Sequence, residues 1–171
     1  EQTMTGHPTP HSPAGLNISL NYKGFDFGIS GYGMFGHQIF RAWRQYGHRP
    51  YQNYTTEVFD YWHGEGTSNK LPILYSSNSK GLNTDMFIEN GDFFRFQTVT
   101  LGYDFNRLWK NSPFGQLRVY VQGQNLYTIT GYKGMDPEVG TSSGFDSWAK
   151  GLDLGFYPQP RTILVGLNIK F

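Results

Sequence analysis

The chain has 171 residues, a formal charge of +1 and a mean hydropathy of −0.51. That length supports one domain with a sizeable core, the small charge leaves no electrostatic footprint for nucleic acid, and no run of about 18 apolar residues exists to cross a membrane as a helix. The absence of cysteine excludes disulfides, thiolate nucleophiles and thiolate metal sites, while 18% aromatic residues and 22 glycines favour strands and turns, as in barrels girdled by aromatics.

The opening, EQTMTGHPTPHSP, has neither a basic start nor an apolar core. It reads as no secretory signal, so the chain is expected to be a mature form or a fragment. Residues 15–22, GLNISLNY, put Leu16, Ile18, Leu20 and Tyr22 on one side of an extended strand and Asn17, Ser19 and Asn21 on the other. Lys23-Gly24 is a tight connection into a second strand, 25–35, in which Phe25, Phe27 and Ile29 oppose Asp26, Gly28 and Ser30; the pair reads as a hairpin. From 36 to 92 no long strand is expected. That segment reads as a long loop carrying a short helix over 37–46, and loops of such length signal function or disorder.

The strand pattern resumes at 93–105, FFRFQTVTLGYDF, but its apolar phase switches between Phe96 and Val99. A β-bulge near Gln97-Thr98 restores one continuous face. A short connection leads to a strand over 115–127, where Leu117, Val119 and Val121 oppose Arg118, Tyr120, Gln122 and Gln124, polar side chains that require water nearby. A second long loop, 128–160, precedes the final strand, 161–171. There Ile163, Val165, Leu167, Ile169 and Phe171 form one apolar side and the chain ends on an aromatic. Half-buried strands of soluble sandwiches alternate in the same way, but connections that run short, long, short, long are those of an all-β antiparallel transmembrane barrel. Five strands are too few to close one, for which about eight is the practical minimum, and lipid does not tolerate open edges. The strands are therefore expected to be part of a larger barrel.

The segments FIENGDFFRFQTVTLGYDF at 87–105, LRVYVQGQNLYTITGYKGMDPEVG at 117–140, GFYPQPRTILVGLNIKF at 155–171 and LNYKGFDFGISGYGMFGHQIF at 20–40 carry a resemblance over nearly the whole chain. It resembles the C-terminal end of the SusC/RagA-type TonB-dependent transporters of the Bacteroidetes outer membrane. The resemblance implies about the last five strands of a barrel of roughly 22, with the plug domain and TonB-contacting part absent from this chain. It also implies a non-enzymatic importer of glycans or oligopeptides, working with a SusD-like surface lipoprotein and the TonB complex. Long loops would be extracellular, the C-terminus periplasmic, and Phe171 part of the outer-membrane assembly signal. The competing classes are a secreted all-β carbohydrate-binding module and a passive porin-like barrel.

Other motifs read blandly. Gly31-x-Gly33-x-x-Gly36 matches a dinucleotide fingerprint, but the preceding strand alternates instead of forming a buried apolar run, so these glycines are expected where aromatics cross the wall. His7 and His11 have metal-ligand spacing, yet Pro8 and Pro10 forbid the helix that spacing requires; the five histidines read as solvated, and no metal or cofactor is expected. Glu57, Asp60 and Glu65 lie in a loop with no nucleophile or oxyanion motif, so no catalytic residue is assigned. The candidates are therefore Arg118, Tyr120, Gln122 and Gln124 lining a transport lumen. Trp62, Tyr132, Asp136, Glu138 and Trp148 are the loop residues expected to meet ligand or partner, since aromatics bury large area with few rotatable bonds.

Overall fold

A computed structural model describes residues 6–46, 56–73, 84–109, 112–138 and 150–171. Its elements in chain order are β1 (Ser12–Tyr22), β2 (Phe25–Phe35), β3 (Gln38–Arg41), α1 (Ala42–Tyr46), β4 (Ile88–Asn90), β5 (Phe93–Asp104), β6 (Gln116–Thr130), β7 (Leu152–Asp153) and β8 (Thr162–Lys170). Five of these make one antiparallel sheet in the order β1-β2-β5-β6-β8, and three short ones make a second sheet, β4-β3-β7. β1 starts earlier than the expected residue 15, and β6 runs three residues past 127. The helix expected over 37–46 is confined to 42–46: Ile39 and Arg41 are buried on alternate positions of an extended segment, whose pairing with β4 and β7 overrides local helix propensity.

Register fixes the two faces of the main sheet. Ile163, Val165 and Leu167 pair with Gly123, Val121 and Val119, which pair in turn with Val99, Leu101 and Tyr103, and these with Ile29, Phe27 and Phe25. Ile18, Leu20 and Tyr22 complete the rows. One face is therefore apolar across all five strands, and it is open: Val165 is 74% exposed and Leu20 58%. A soluble monomer rarely exposes so large a contiguous apolar surface. The bulge predicted near Gln97 is present, since register shifts between Phe96 and Thr98 and brings Phe94 and Phe96 onto the same apolar face. There the ring of Phe94 lies against Gly31, where a Cβ would stand 3.0 Å from it, and the ring of Phe35 lies against Gly33.

The sheet's two ends differ. At one, Lys23 (φ 47) and Gly24 (φ 91) make the two-residue turn that matches strand twist, and Asp104 N donates to Gly24 O at 2.8 Å. The second short connection closes through Asn106, whose Nδ2 donates to the carbonyls of Phe114 and Gly115. Ring contacts join Phe25 to Tyr103, Tyr103 to Phe105 and Phe114 to Phe171 around this end. At the other end the small sheet and the long loops gather the deepest burial of the chain: Ile39 and Asp153 at 0%, Phe93 at 1%, Phe87 at 2%. The packed core is thus at the long-loop rim, while the wall itself is bare on its apolar side.

Candidate functional site

The face opposite the apolar one is polar. Arg118, Tyr120, Gln122 and Gln124 alternate along β6 and sit across from Asp104, Gly102, Thr100 and Thr98 on β5 and from Asn168, Gly166, Leu164 and Thr162 on β8. The four residues expected to share a face do share one. Arg118 reaches over β5 to Asp26 on β2, donating through both Nε and Nη2 to the two carboxylate oxygens. Gly102 makes this crossing possible, because a Cβ there would collide with both partners. The guanidinium also stands 4.8 Å from the Tyr120 ring centre. Its charge is thus spent within the wall, leaving amides and hydroxyls as the hydrogen-bonding surface further along the strand.

At the rim, the loop candidates turn inward to the protein. Asp136 is 7% exposed and accepts from Arg95 Nη2 at 2.5 Å, while Glu138 accepts from Arg95 Nη1 and from the Tyr32 hydroxyl, each at 2.7 Å. Arg95 itself is 3% exposed and donates Nε to Thr128 Oγ1. Tyr132 donates its hydroxyl to Asp153 at 2.5 Å, and Trp43 Nε1 donates to the same carboxylate at 2.9 Å. Burial and the adjacent Asp153 charge raise the Tyr132 phenol above its ordinary range. Tyr132, Asp136 and Glu138 therefore hold the second loop onto the wall, with their polar atoms engaged inside the chain.

Trp62 differs. It is 40% exposed and lines an open cleft of about 450 Å³ with Ser68, Asn69, Lys70, Leu71, Pro72 and Ile73. Trp148 lies outside the described residues. Phe171 is 97% exposed beside Phe114. Sequence reasoning passed over Arg95, Tyr32, Arg41 and Asp153, which organise the rim. An arginine between Phe94 and Phe96 was the available signal, by the same logic that marked Arg118. Arg41, 3% exposed, pairs with Glu89 at 2.9 Å and Glu57 at 3.3 Å, so Glu57 belongs to an ion-pair network. His37 is 7% exposed beside Phe93 and Asp92, and burial lowers its imidazole below the ordinary value. Among the described residues no group of three or more histidines, cysteines or carboxylates is arranged to hold a metal.

No family model matches the chain. TonB-dependent receptor P3 of Formosa agariphila is 30% identical over 175 residues, a match covering 100% of this chain and 17% of that protein. TonB-dependent receptor SusC of Bacteroides thetaiotaomicron is 31% identical over 159 residues, covering 92% of this chain and 15% of its own length. Among solved structures, the RagAB peptide importer in its open-open state matches with a TM-score of 0.77 at 24% identity over 95% of this chain and 17% of that one. Its closed-closed state matches at 0.79 and 21% identity, over 98% and 18%.

The chain belongs to the SusC/RagA-like TonB-dependent receptors. It spans less than a fifth of the relatives it matches, 17% and 15% of the two curated proteins. TonB-dependent receptors are outer-membrane proteins, and this SusC/RagA-like sheet is a segment of an antiparallel transmembrane barrel wall. One apolar and one polar face are what a wall between lipid and a barrel interior requires. The edges of β1 and β8 are unpaired among the described residues.

Proposed function

We propose that this chain is the C-terminal wall of a non-enzymatic nutrient importer of the SusC type, which takes up glycans or oligopeptides together with a SusD-like surface lipoprotein and draws energy from the TonB complex through a part outside this chain. The observation carrying this reading is the match of the whole chain to SusC/RagA-like receptors, combined with an apolar outer face and a polar inner one in the register a barrel requires. Arg118, Tyr120, Gln122 and Gln124 would line the lumen, offering a wall whose nearest charge is already neutralised by Asp26. Trp62 would meet substrate or lipoprotein from an extracellular loop, with the short turns and Phe171 on the periplasmic side.

The test uses the full-length receptor in its own cells. Deleting the gene should abolish growth on one class of glycan or peptide while the lipoprotein co-purifies with the wild-type receptor. Growth that survives loss of TonB but not loss of the receptor would mark a passive porin instead. For topology, a membrane-impermeant thiol reagent should label Asn69→Cys on intact cells and leave Lys23→Cys unlabelled; the reverse pattern would invert the orientation.

A further inference from the structure

We propose that His7 and His11 form a two-histidine site for a divalent first-row cation of the copper or zinc type at the long-loop rim. Their spacing required a helix that Pro8 and Pro10 forbid, yet the rings meet without one: their centroids are 5.7 Å apart with planes at 71°. Two imidazoles bound to one cation at about 2.0–2.1 Å place their ring centres roughly 5 Å apart at a tetrahedral angle and roughly 6 Å apart when opposed, so the T-shaped pair has the separation a shared ion requires once each ring turns a nitrogen towards it.

The backbone beneath the pair is held at both ends. Gln38 N donates to His7 O at 2.8 Å, and His11 N donates to Phe35 O at 3.0 Å. Pro8 packs against Gly151, and the His11 ring lies on Gly36, where a Cβ would stand 3.2 Å from His11 Cβ. The ring nitrogens, by contrast, are uncommitted: both histidines are exposed, and among the described residues no hydrogen bond or ion pair to either ring is present. A fixed backbone under two uncommitted rings lowers the ordering cost of chelation. No third protein ligand joins them among the described residues, so water completes the coordination. Borderline imidazole donors with open positions select Cu²⁺ over Zn²⁺ and both over Mg²⁺ or Ca²⁺.

The experiment titrates Cu²⁺ into untagged full-length receptor in detergent and compares wild type with His7→Ala, His11→Ala, the double variant and His63→Ala. Wild type and His63→Ala should hold one copper more than the others at low micromolar metal, with nitrogen hyperfine structure from two imidazoles in the electron paramagnetic resonance spectrum. Each single variant should lose at least about tenfold in affinity at that site, because losing either ring removes the intramolecular advantage of the second. The double variant should lose more than either single one but less than the two single losses combined, since both single variants forfeit the same chelate advantage. An unchanged copper count in the double variant overturns the proposal, as do losses that add between the single variants, which would mean two independent rings. Thermal unfolding of each variant verifies the fold, and both positions are exposed.

Discussion

Replacing Arg95 with glutamine probes how the second loop is held to the barrel. In the wild type this side chain satisfies Asp136, Glu138 and Thr128 at once from a position 3% exposed. Without the guanidinium, Glu138, whose side chain is 26% exposed, can turn towards water and keeps Tyr32 as a donor. Asp136 cannot turn, and among the described residues it retains only the backbone amides of Glu138 and Gln159. Breaking a buried pair by removing one partner costs about 3–5 kcal/mol, and the two surviving amide bonds place this case at the lower end, about 3 kcal/mol. At 1.36 kcal/mol per tenfold, the local opening equilibrium should rise roughly 150-fold. Hydrogen exchange by mass spectrometry on the full-length receptor should show that acceleration at the amides of Tyr132, Lys133, Glu138 and Gln159, with the strand amides of β8 unchanged. The triple variant Arg95→Gln, Asp136→Asn, Glu138→Gln should recover most of the protection, since it removes both signs of charge together. An acceleration below about tenfold for Arg95→Gln would refute the argument that Arg95 holds the loop.

Arginine at Val165, 74% exposed and paired with Val121 on the lipid face, should cost roughly 2–4 kcal/mol near the midplane; equal stability of variant and wild type in reversible bilayer folding would remove the lipid-facing assignment. At the rim, burial holds the His37 imidazole below its usual value of 6.5 despite the opposing pull of Asp92. The folded state therefore disfavours the proton, and the stability His37 confers is complete above about pH 6.5 and declines as pH falls below it. Exchange at Gly91 N, bonded to His37 O, should accelerate on acidification beyond the intrinsic trend in wild type but not in His37→Gln; parallel slopes would contradict this. Deleting Phe171 should reduce the amount of receptor in outer-membrane fractions more than Tyr103→Ala does, while molecules that do insert remain competent; equal defects would make Phe171 an ordinary girdle aromatic.

What the sequence made legible follows from periodicity. Strands β1, β2, β5, β6 and β8 announce themselves by strict alternation, and the phase switch after Phe96 located a bulge from pattern alone. β3 escaped because four residues are too few to show a period, and because its burial comes from β4 and β7, which are distant in the chain. That Arg118, Tyr120, Gln122 and Gln124 share a face of β6 was readable, since neighbours two apart do. The roles of Tyr132, Asp136 and Glu138 were not, because a charged or aromatic residue in a glycine-rich loop looks the same whether it points to solvent or back to a buried arginine. Only the partner distinguishes the two, Arg95 earlier in the chain for Asp136 and Glu138 and Asp153 later in it for Tyr132.

The extra residue at Gln97 means that β5 is written in two frames. On the turn side of it odd-numbered residues face lipid, as at Val99 and Leu101; on the loop side the even-numbered ones do, as at Phe94 and Phe96. Arg95 owes its inward position to that change of parity. Excising Gln97 would place Phe96 next to Thr98 and remove the bulge, with Phe94 and Phe96 still on the apolar face and Arg95 still on the polar one, because Ser30 and Gly31 of β2 already pair Thr98 and Phe96 consecutively. Drawing Gln97 into the ladder is what would turn Arg95 to the apolar side and Phe94 and Phe96 to the polar one, so the inward arginine depends on that residue staying outside the pairing.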